Sequence, residues 1–361
     1  MALRDWRPVL VGRRLLDQLP LNGLEVRVLG PEDSTFRSRL MWKASTALHF
    51  MAPHIRRLLK AEQASLVHAH FGPDSLDAWP LARALELPML VTLHGYDINT
   101  HRVWWEAGNA GSGMRHYPQR LLQLATQPGV GFIAVSEAIR RRAIDFGIPA
   151  EKIAVNYIGI DTGRFTPGAI PIGQRPRDVL FVGRLVEKKG CRHVIEAMSV
   201  VQSEVPDARL VVIGDGPLRQ DLEALARSLR VQVDFRGALG TAEVQRALGK
   251  SRVLCLPSVT AANGDAEGFG LVLLEAQASG VPVVTSARGG ADEGIREGVT
   301  GYAFAEGDTA VLAARLTSLL TDDAMLQRMA EQGSRYVVEH FDVLHCASGL
   351  ETLYDTAVLR H

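Results

Sequence analysis

Three cysteines in 361 residues, Cys191, Cys255 and Cys346, are too few and too scattered for a disulfide framework or a cysteine metal site. That scarcity suits a reducing compartment. No apolar run approaches the roughly 18–20 residues that a helix needs to cross a bilayer. The opening stretch, MALRDWRPVLVGRR, has its apolar positions broken by Arg, Asp and Trp, so it lacks the layout of a secretory leader. These absences lead us to expect a cytoplasmic protein. Net charge is absent too, with 40 Lys and Arg against 40 Asp and Glu, and nothing in that balance calls for a nucleic-acid partner. The charge is nevertheless uneven. Residues 1–165 carry +5 and the remainder −5, which suits an anionic partner or membrane surface in the first half and equally fits ordinary scatter. No repeat is visible.

What is present is an ordinary globular composition, 47% hydrophobic and 22% charged, in a chain long enough for two domains. Short β-branched runs alternate with helical patterns from end to end. In the first half they fall at 7–12, 24–30, 65–72, 88–95, 131–136 and 153–159; in the second, at 178–184, 208–216, 231–237, 252–258, 282–286 and 301–307. Continuous apolar runs of this length predict parallel strands covered by helices on both faces. Several end in Gly, Ser or His, at the sheet edge where open parallel sheets bind ligands. Between the halves, GIDTGRFTPGAIPIGQRPRD (159–178) is rich in Gly and Pro and reads as a linker. The expected fold class is α/β: two Rossmann-like parallel-sheet domains facing across a cleft. Residues 1–165 form an N-terminal acceptor-side domain and 166–340 a C-terminal donor domain. Residues 341–361 form a helix packing back toward the first domain. ALRDW resembles the end of a helix leading straight into RPVLVG, without the usual strand and glycine turn before it. The first domain is therefore expected to lack its first strand, to comprise six strands, and to have an in-frame continuation upstream of Met1.

Four stretches carry candidate chemistry. In GRLVEKKG (183–190), Arg184 and Lys189 follow a strand end on a turn bracketed by Gly183 and Gly190. Two cations at a sheet edge form a natural diphosphate clamp, although a solvated turn has the same composition. In DAEGFGLVLLEAQA (265–278), Gly268 and Gly270 let backbone amides approach a ligand, and the helix that starts at Leu271 presents free amides to an anion. Glu267 repels phosphate and is suited to accepting hydrogen bonds from hydroxyls. Glu275 can accept two parallel donors from a vicinal diol, or can equally be turned to solvent. Hydroxyls, phosphates and hydroxyls in one cleft are the order presented by a nucleotide sugar. In VTLHGYD (91–97), His94 stands on a sharp turn at a strand end, able to donate to a sugar hydroxyl or to serve as a structural histidine; Asp97 orients the turn or caps the next segment. VVIGDGP (211–217) and FRGALG (235–240) read as strand exits that support the fold, the second with backbone that could meet a base edge.

The Glu-x7-Glu spacing of Glu267 and Glu275, with GRLVEKKG, GDGP and HGYD in this order of spacing, resembles the family 4 retaining glycosyltransferases of the GT-B fold over nearly the whole chain from about residue 7. The wording HAHFGPDS, LHGYDI, AVSEAIRRR, YIGID, LPSVTAANGDAEG and LLEAQASGVPVV is most similar to the branch that builds exopolysaccharide, colanic-acid-type and lipopolysaccharide chains. The resemblance implies a hexose transferred from a UDP- or GDP-sugar to a saccharide or lipid-linked saccharide. Arg184 and Lys189 would hold the donor diphosphate. Glu267 would bind the transferred sugar, and Gly183, Gly268, Phe269, Gly270 and Leu271 would line sugar and phosphate. Glu275 would hold the ribose, and His94 would sit over the sugar. It implies no cofactor and no essential metal, since protein cations replace one, and the sequence shows no DxD-type signal. It implies front-face attack, in which the leaving phosphate oxygen takes the acceptor proton. A double displacement would need a carboxylate near His94, for which Asp97 and Asp74 are the candidates. An inactive nucleotide-sugar-binding paralogue and a hydrolysing epimerase are the rival readings.

Two further stretches bear on the acceptor. Residues 36–60 space apolar residues helically with basic residues elsewhere, a pattern that packs on the first sheet and allows weak contact with an anionic membrane from the inner, cytoplasmic face. Trp104 and Trp105 either stack on an acceptor or plug the first-domain core.

Overall fold

A computed structural model describes residues 3–12, 24–28, 60–286 and 289–361. Each of the twelve runs read as strands corresponds to one, shorter than the run, with the one at 131–136 starting a residue early at Val130, and every pairing between them is parallel. β1 (Val9–Gly12) pairs with β2 (Glu25–Val28). β3 (Val67–His70), β4 (Met89–Leu93), β5 (Val130–Ala134) and β6 (Ile153–Val155) lie side by side in that order. The second domain holds β7 (Asp178–Val182), β8 (Arg209–Ile213), β9 (Val233–Phe235), β10 (Val253–Leu256), β11 (Val283–Ser286) and β12 (Gly301–Phe304) in the order β12-β11-β10-β7-β8-β9.

The first domain differs from the single six-stranded sheet expected. Among the described residues β1 and β2 form a two-stranded sheet apart from the four-stranded one. The two strands present no continuous apolar face: Glu25 and Arg27 interrupt β2, and Leu10, Val11 and Val28 are exposed. By contrast, β4 (MLVTL) and β10 (VLCL) are buried throughout, as central parallel strands must be when helices cover both faces.

The strand order of the second sheet positions the site. From β7 the chain winds outward through β8 and β9, then returns to β10 on the other side of β7 and continues through β11 and β12. The loops leaving the C-terminal ends of β7 and β10 therefore separate at a topological switch point, which opens a crevice there. Those loops are 183–190, singled out from the sequence, and 257–270, which holds the start of the second stretch singled out, 265–278.

The domains are laced together beside that crevice. Ser136 caps the helix Glu137–Phe146 and donates its hydroxyl to the Gly268 carbonyl 2.9 Å away. Glu293, from the second domain, accepts the Glu137 and Ala138 amides, both at 2.7 Å, and the Tyr157 hydroxyl at 3.0 Å. A carboxylate at a helix N-terminus satisfies orphan amides and favours the positive end of the dipole. Glu293→Ala is expected to cost about 0.5–2 kcal/mol, the range for losing a helix cap. Denaturant unfolding should show the loss, and hydrogen exchange should rise at the Glu137 and Ala138 amides while the sheet amides stay protected.

The linker is pinned. Arg175 is buried and donates to the carbonyls of Ile170, Leu248 and Ser251, and Ile160 exchanges backbone bonds with Phe341 and Val343. The helix Val343–Leu359 lies over the first domain, with Tyr354 against Leu90 and Ile133, while Glu351 accepts the amides of Arg4, Asp5 and Trp6. Trp105 is 1% exposed and packs on Tyr117 and Tyr96, and Trp104 stands edge-on to it, so the tryptophan pair plugs the core. No helix among the described residues is long and apolar enough to cross a membrane. The basic amphipathic stretch expected at 36–60 lies, but for its last residue, outside the described residues.

Candidate active site

Gly190 ends the short turn Glu187–Lys189 with φ +65°, and a Cβ there would lie 1.8 Å from the Pro257 carbonyl oxygen. Only glycine permits the β7 and β10 loops to touch. That contact sets Lys189 opposite the second loop, where its Nζ lies 2.5 Å from Glu267 Oε2. The Ser258 hydroxyl donates to the same oxygen at 3.3 Å. One residue back, Lys188 Nζ pairs with Asp265 Oδ2 at 2.9 Å. Burial pushes the Glu267 carboxyl up, but Lys189, Lys188 and Ser258 together outweigh it and hold the group below its ordinary value. A charged pair therefore stands in the crevice at neutral pH. The carboxylate found opposite this ammonium is the one the sequence assigned to sugar hydroxyls.

A cavity of about 310 Å³ opens beside the pair, walled by Lys189, Glu267, Phe269, Gly270 and Leu271 from the second domain and by His94 from the first. Val135, Ile158, Val182 and Val272 complete its apolar side. The helix Leu271–Ala278 starts at this wall, with Gly270 in the left-handed region ahead of it. The Leu273 amide bonds the Gly270 carbonyl at 2.9 Å, and the amides ahead of it, at the positive end of the helix, favour an anion. A broader hollow of about 530 Å³ at His193, Val259, Thr260, Glu306 and Gly307 brings together no such groups, because Glu306 is held by the Thr260 amide and hydroxyl.

The remaining predicted residues stand outside the wall. Arg184 is exposed and makes no ion pair with another described residue. Gly183 lies behind Lys189 and donates its amide to Ile213. Glu275 is half-buried within the helix; burial raises its carboxyl, and Arg164 of the linker acts against that. GDGP is a turn that receives Leu185 and so supports the first loop. Gly268 packs on the other domain: a Cβ there would fall 2.2 Å from the His94 carbonyl oxygen. Gly268→Ala is therefore expected to force the domains apart and cut activity by at least about tenfold, since an added methyl against fixed backbone costs about 1–3 kcal/mol. Steady-state rates and scattering profiles of the variant check this; unchanged values would disprove the close approach.

On the first-domain side, Asp97 is fully buried and accepts the amides of Gly72 at 2.9 Å, His94 at 3.1 Å and Gly95 at 2.9 Å. Burial pushes its carboxyl up to about 6 against the pull of those amides. It ties the ends of β3 and β4 together and offers no oxygen to the cavity, which corrects its candidacy as a nucleophile. Asp74, the other candidate, sits in the first turn of the helix Gly72–Ala84, near His70. His94 Nε2 lies 3.0 Å from His70 Nδ1, with the Phe71 ring 4.4 Å away. Burial, and then His70, lower the His94 imidazole to about 4, so it is neutral at neutral pH. Among the described residues, no group of three or more His, Cys, Asp or Glu side chains is arranged to hold a metal.

Sequence reasoning missed His70, Phe71, Lys188, Asp265 and Glu293. The first had a signal, because His68 and His70 at i and i+2 in HAHFG share one face of a strand. Glu293 had none, because its partners are backbone amides of the other domain.

Residues 165–336 match the family model described as glycosyl transferases group 1, and residues 13–164 match that of glycosyltransferase family 4. The chain is 31% identical over 285 residues to a protein of Escherichia coli strain K12 named as the colanic acid biosynthesis glycosyltransferase WcaL, covering 77% of this chain and 67% of that one. It is 32% identical over 265 residues to the amylovoran biosynthesis glycosyltransferase AmsK of Erwinia amylovora, covering 72% and 62%. Its fold matches Anabaena HepE, solved with UDP and glucose, with a TM-score of 0.74 at 20% identity over 92% of this chain and 86% of that one.

Proposed function

The chain belongs to the family 4 glycosyltransferases of the GT-B fold, exopolysaccharide type, and from that premise we propose that it transfers a hexose from a nucleotide-diphosphate sugar to a saccharide or lipid-linked saccharide, with retention at the anomeric carbon. The observation that carries this reading is the Lys189–Glu267 pair at the wall of a cavity that also takes His94 and a helix N-terminus. A donor entering there divides the pair. The ammonium and the first-turn amides of the helix Leu271–Ala278 turn to the diphosphate, and the carboxylate turns to sugar hydroxyls. As the C1–O bond to the leaving phosphate lengthens, negative charge grows on that oxygen, where a cation and oriented amides stabilise it most. The acceptor oxygen bonds to C1 on the same face, and its proton passes to the leaving phosphate oxygen. No protein nucleophile is required, in keeping with an Asp97 occupied by backbone amides. Arg184, exposed on the same loop, reaches the diphosphate after a side-chain rotation. Glu275 receives the ribose. Lys189 and the amides supply the positive charge that a divalent ion supplies elsewhere, so we propose a metal-independent reaction.

The HepE complexes with UDP and UDP-glucose support a UDP-linked donor as the first to try. The relatives named for colanic acid and amylovoran biosynthesis support a role in polysaccharide synthesis, and we place the acceptor, a saccharide or lipid-linked saccharide, at the inner face of the membrane. The test is incubation with UDP- and GDP-sugars, with and without a membrane-extracted acceptor, in EDTA. Acceptor-dependent release of nucleoside diphosphate, with the donor's anomeric configuration kept in the product, is expected. Nucleotide binding without release, or interconversion of the free sugar, would overturn the proposal.

A further inference from the structure

β3 ends in two histidines, His68 and His70, whose rings stack with centroids 4.5 Å apart. Both nitrogens of His68 are occupied, Nδ1 by the Tyr354 hydroxyl and Nε2 by the Thr92 hydroxyl, each at 2.7 Å. That ring is a fixed platform. His70 lies on it and meets His94 through Nδ1···Nε2 at 3.0 Å. A bond between two imidazoles needs one N–H and one lone pair, so the position of the proton on His70 dictates its position on His94. We infer that His70 is a positioning residue for the transfer reaction: through its Nδ1 it holds His94 in one tautomer and one ring orientation at the cavity wall. The reaction itself rests on the function proposed above; the tautomer does not.

Three observations converge on this role. Phe71 packs on the His94 ring with centroids 4.4 Å apart, and it does so with φ +67° and ψ 140°, a backbone region that residues other than glycine rarely occupy. Its amide donates to the Thr92 carbonyl at 2.9 Å, which fixes that conformation. Desolvation acts on both rings of the pair, although His70 keeps an exposed edge. Burial lowers His70, with Asp74 acting against it, and burial followed by His70 lowers His94. Two imidazolium rings would have no lone pair to share, so only a pair with at least one neutral ring keeps the bond. Finally, the Tyr354 contact anchors the platform to the helix Val343–Leu359, so the end of the chain supports the orientation of a cavity residue.

Long-range proton–nitrogen NMR of the histidine rings, on the full chain without substrate, reads the tautomers directly. His94 in the wild type is expected to show a single tautomer. His70→Asn places an amide atom where Nδ1 stood and should preserve it; His70→Phe should populate both tautomers. In turnover with UDP-sugars, His70→Phe should lower kcat by roughly 10–100-fold, the scale on which a small misplacement of a site group costs rate, with donor KM changed less than about threefold, and His70→Asn should restore most of it. A tautomer mixture for His94 in the wild type overturns the inference without any variant. So does a single unchanged tautomer in His70→Phe. Should His70→Phe not fold, the wild-type and His70→Asn spectra decide the matter. Absence of turnover in the wild type would sink the transferase reading and leave the NMR result standing.

Discussion

Lys189→Ala is expected to lower kcat/KM by about 10²–10³-fold, the range for removing a preorganised group that stabilises charge growing in a transition state. It should also raise the Kd for UDP by roughly 10–100-fold, the equivalent of one charge-assisted hydrogen bond. A second signature separates this from a general loss of fold. In the wild type the Glu267 carboxyl is held below its ordinary value, so its contribution to stability is present above the unfolded carboxylate pKa and is lost as pH falls through the folded one. Without Lys189 the upward push of burial is opposed only by Lys188 and Ser258. The folded carboxyl then rises above its unfolded value, and the sign inverts: the variant loses stability as pH rises from about 5 toward 8. Urea unfolding of both proteins at those two pH values checks this. Parallel shifts in both would show that the pair does not set the Glu267 charge.

Glu267→Gln should separate binding from turnover. The amide keeps the volume of the side chain and relieves Lys189 of its competing anion. UDP, which brings its own negative charge to Lys189, should bind as tightly as to the wild type or more tightly. Turnover should nevertheless fall by about 10²-fold, because the charged acceptor for sugar hydroxyls is gone and hydrogen bonds to charged groups contribute about 1.5–3 kcal/mol. Calorimetric titration with UDP alongside steady-state rates makes the comparison. Equal losses of UDP affinity in the Lys189 and Glu267 variants would mean that the carboxylate contributes to the nucleotide site rather than to the sugar site.

Much of this arrangement could be read from residue order because it is local. Each strand forms within one short stretch of sequence, and the strand exits that bear Lys189 and Glu267 carry their own glycines. Their convergence follows from sheet topology, since β7 and β10 are neighbours at a switch point. What could not be read depends on contacts across the chain. The pairing of Lys189 with Glu267 needs two loops 78 positions apart. The place of Gly268 against His94, 174 residues away along the chain, belongs to the domain interface, so its glycine was credited to ligand approach when its cause is backbone contact. That β1 and β2, among the described residues, pair apart from the four-stranded sheet also escaped, because strand patterns record burial and not which neighbour supplies it. Asp97 shows the same limit: a carboxylate near a cavity histidine in sequence is sealed off in space by three amides.

A crystal structure of the protein with UDP-glucose decides whether the ion pair divides around a donor. The Lys189–Glu267 pair should be open, with Lys189 Nζ and the Gly270 and Leu271 amides within hydrogen-bond distance of diphosphate oxygens and Glu267 accepting from sugar hydroxyls. A nucleotide sugar bound elsewhere, with that ion pair intact, would contradict that arrangement.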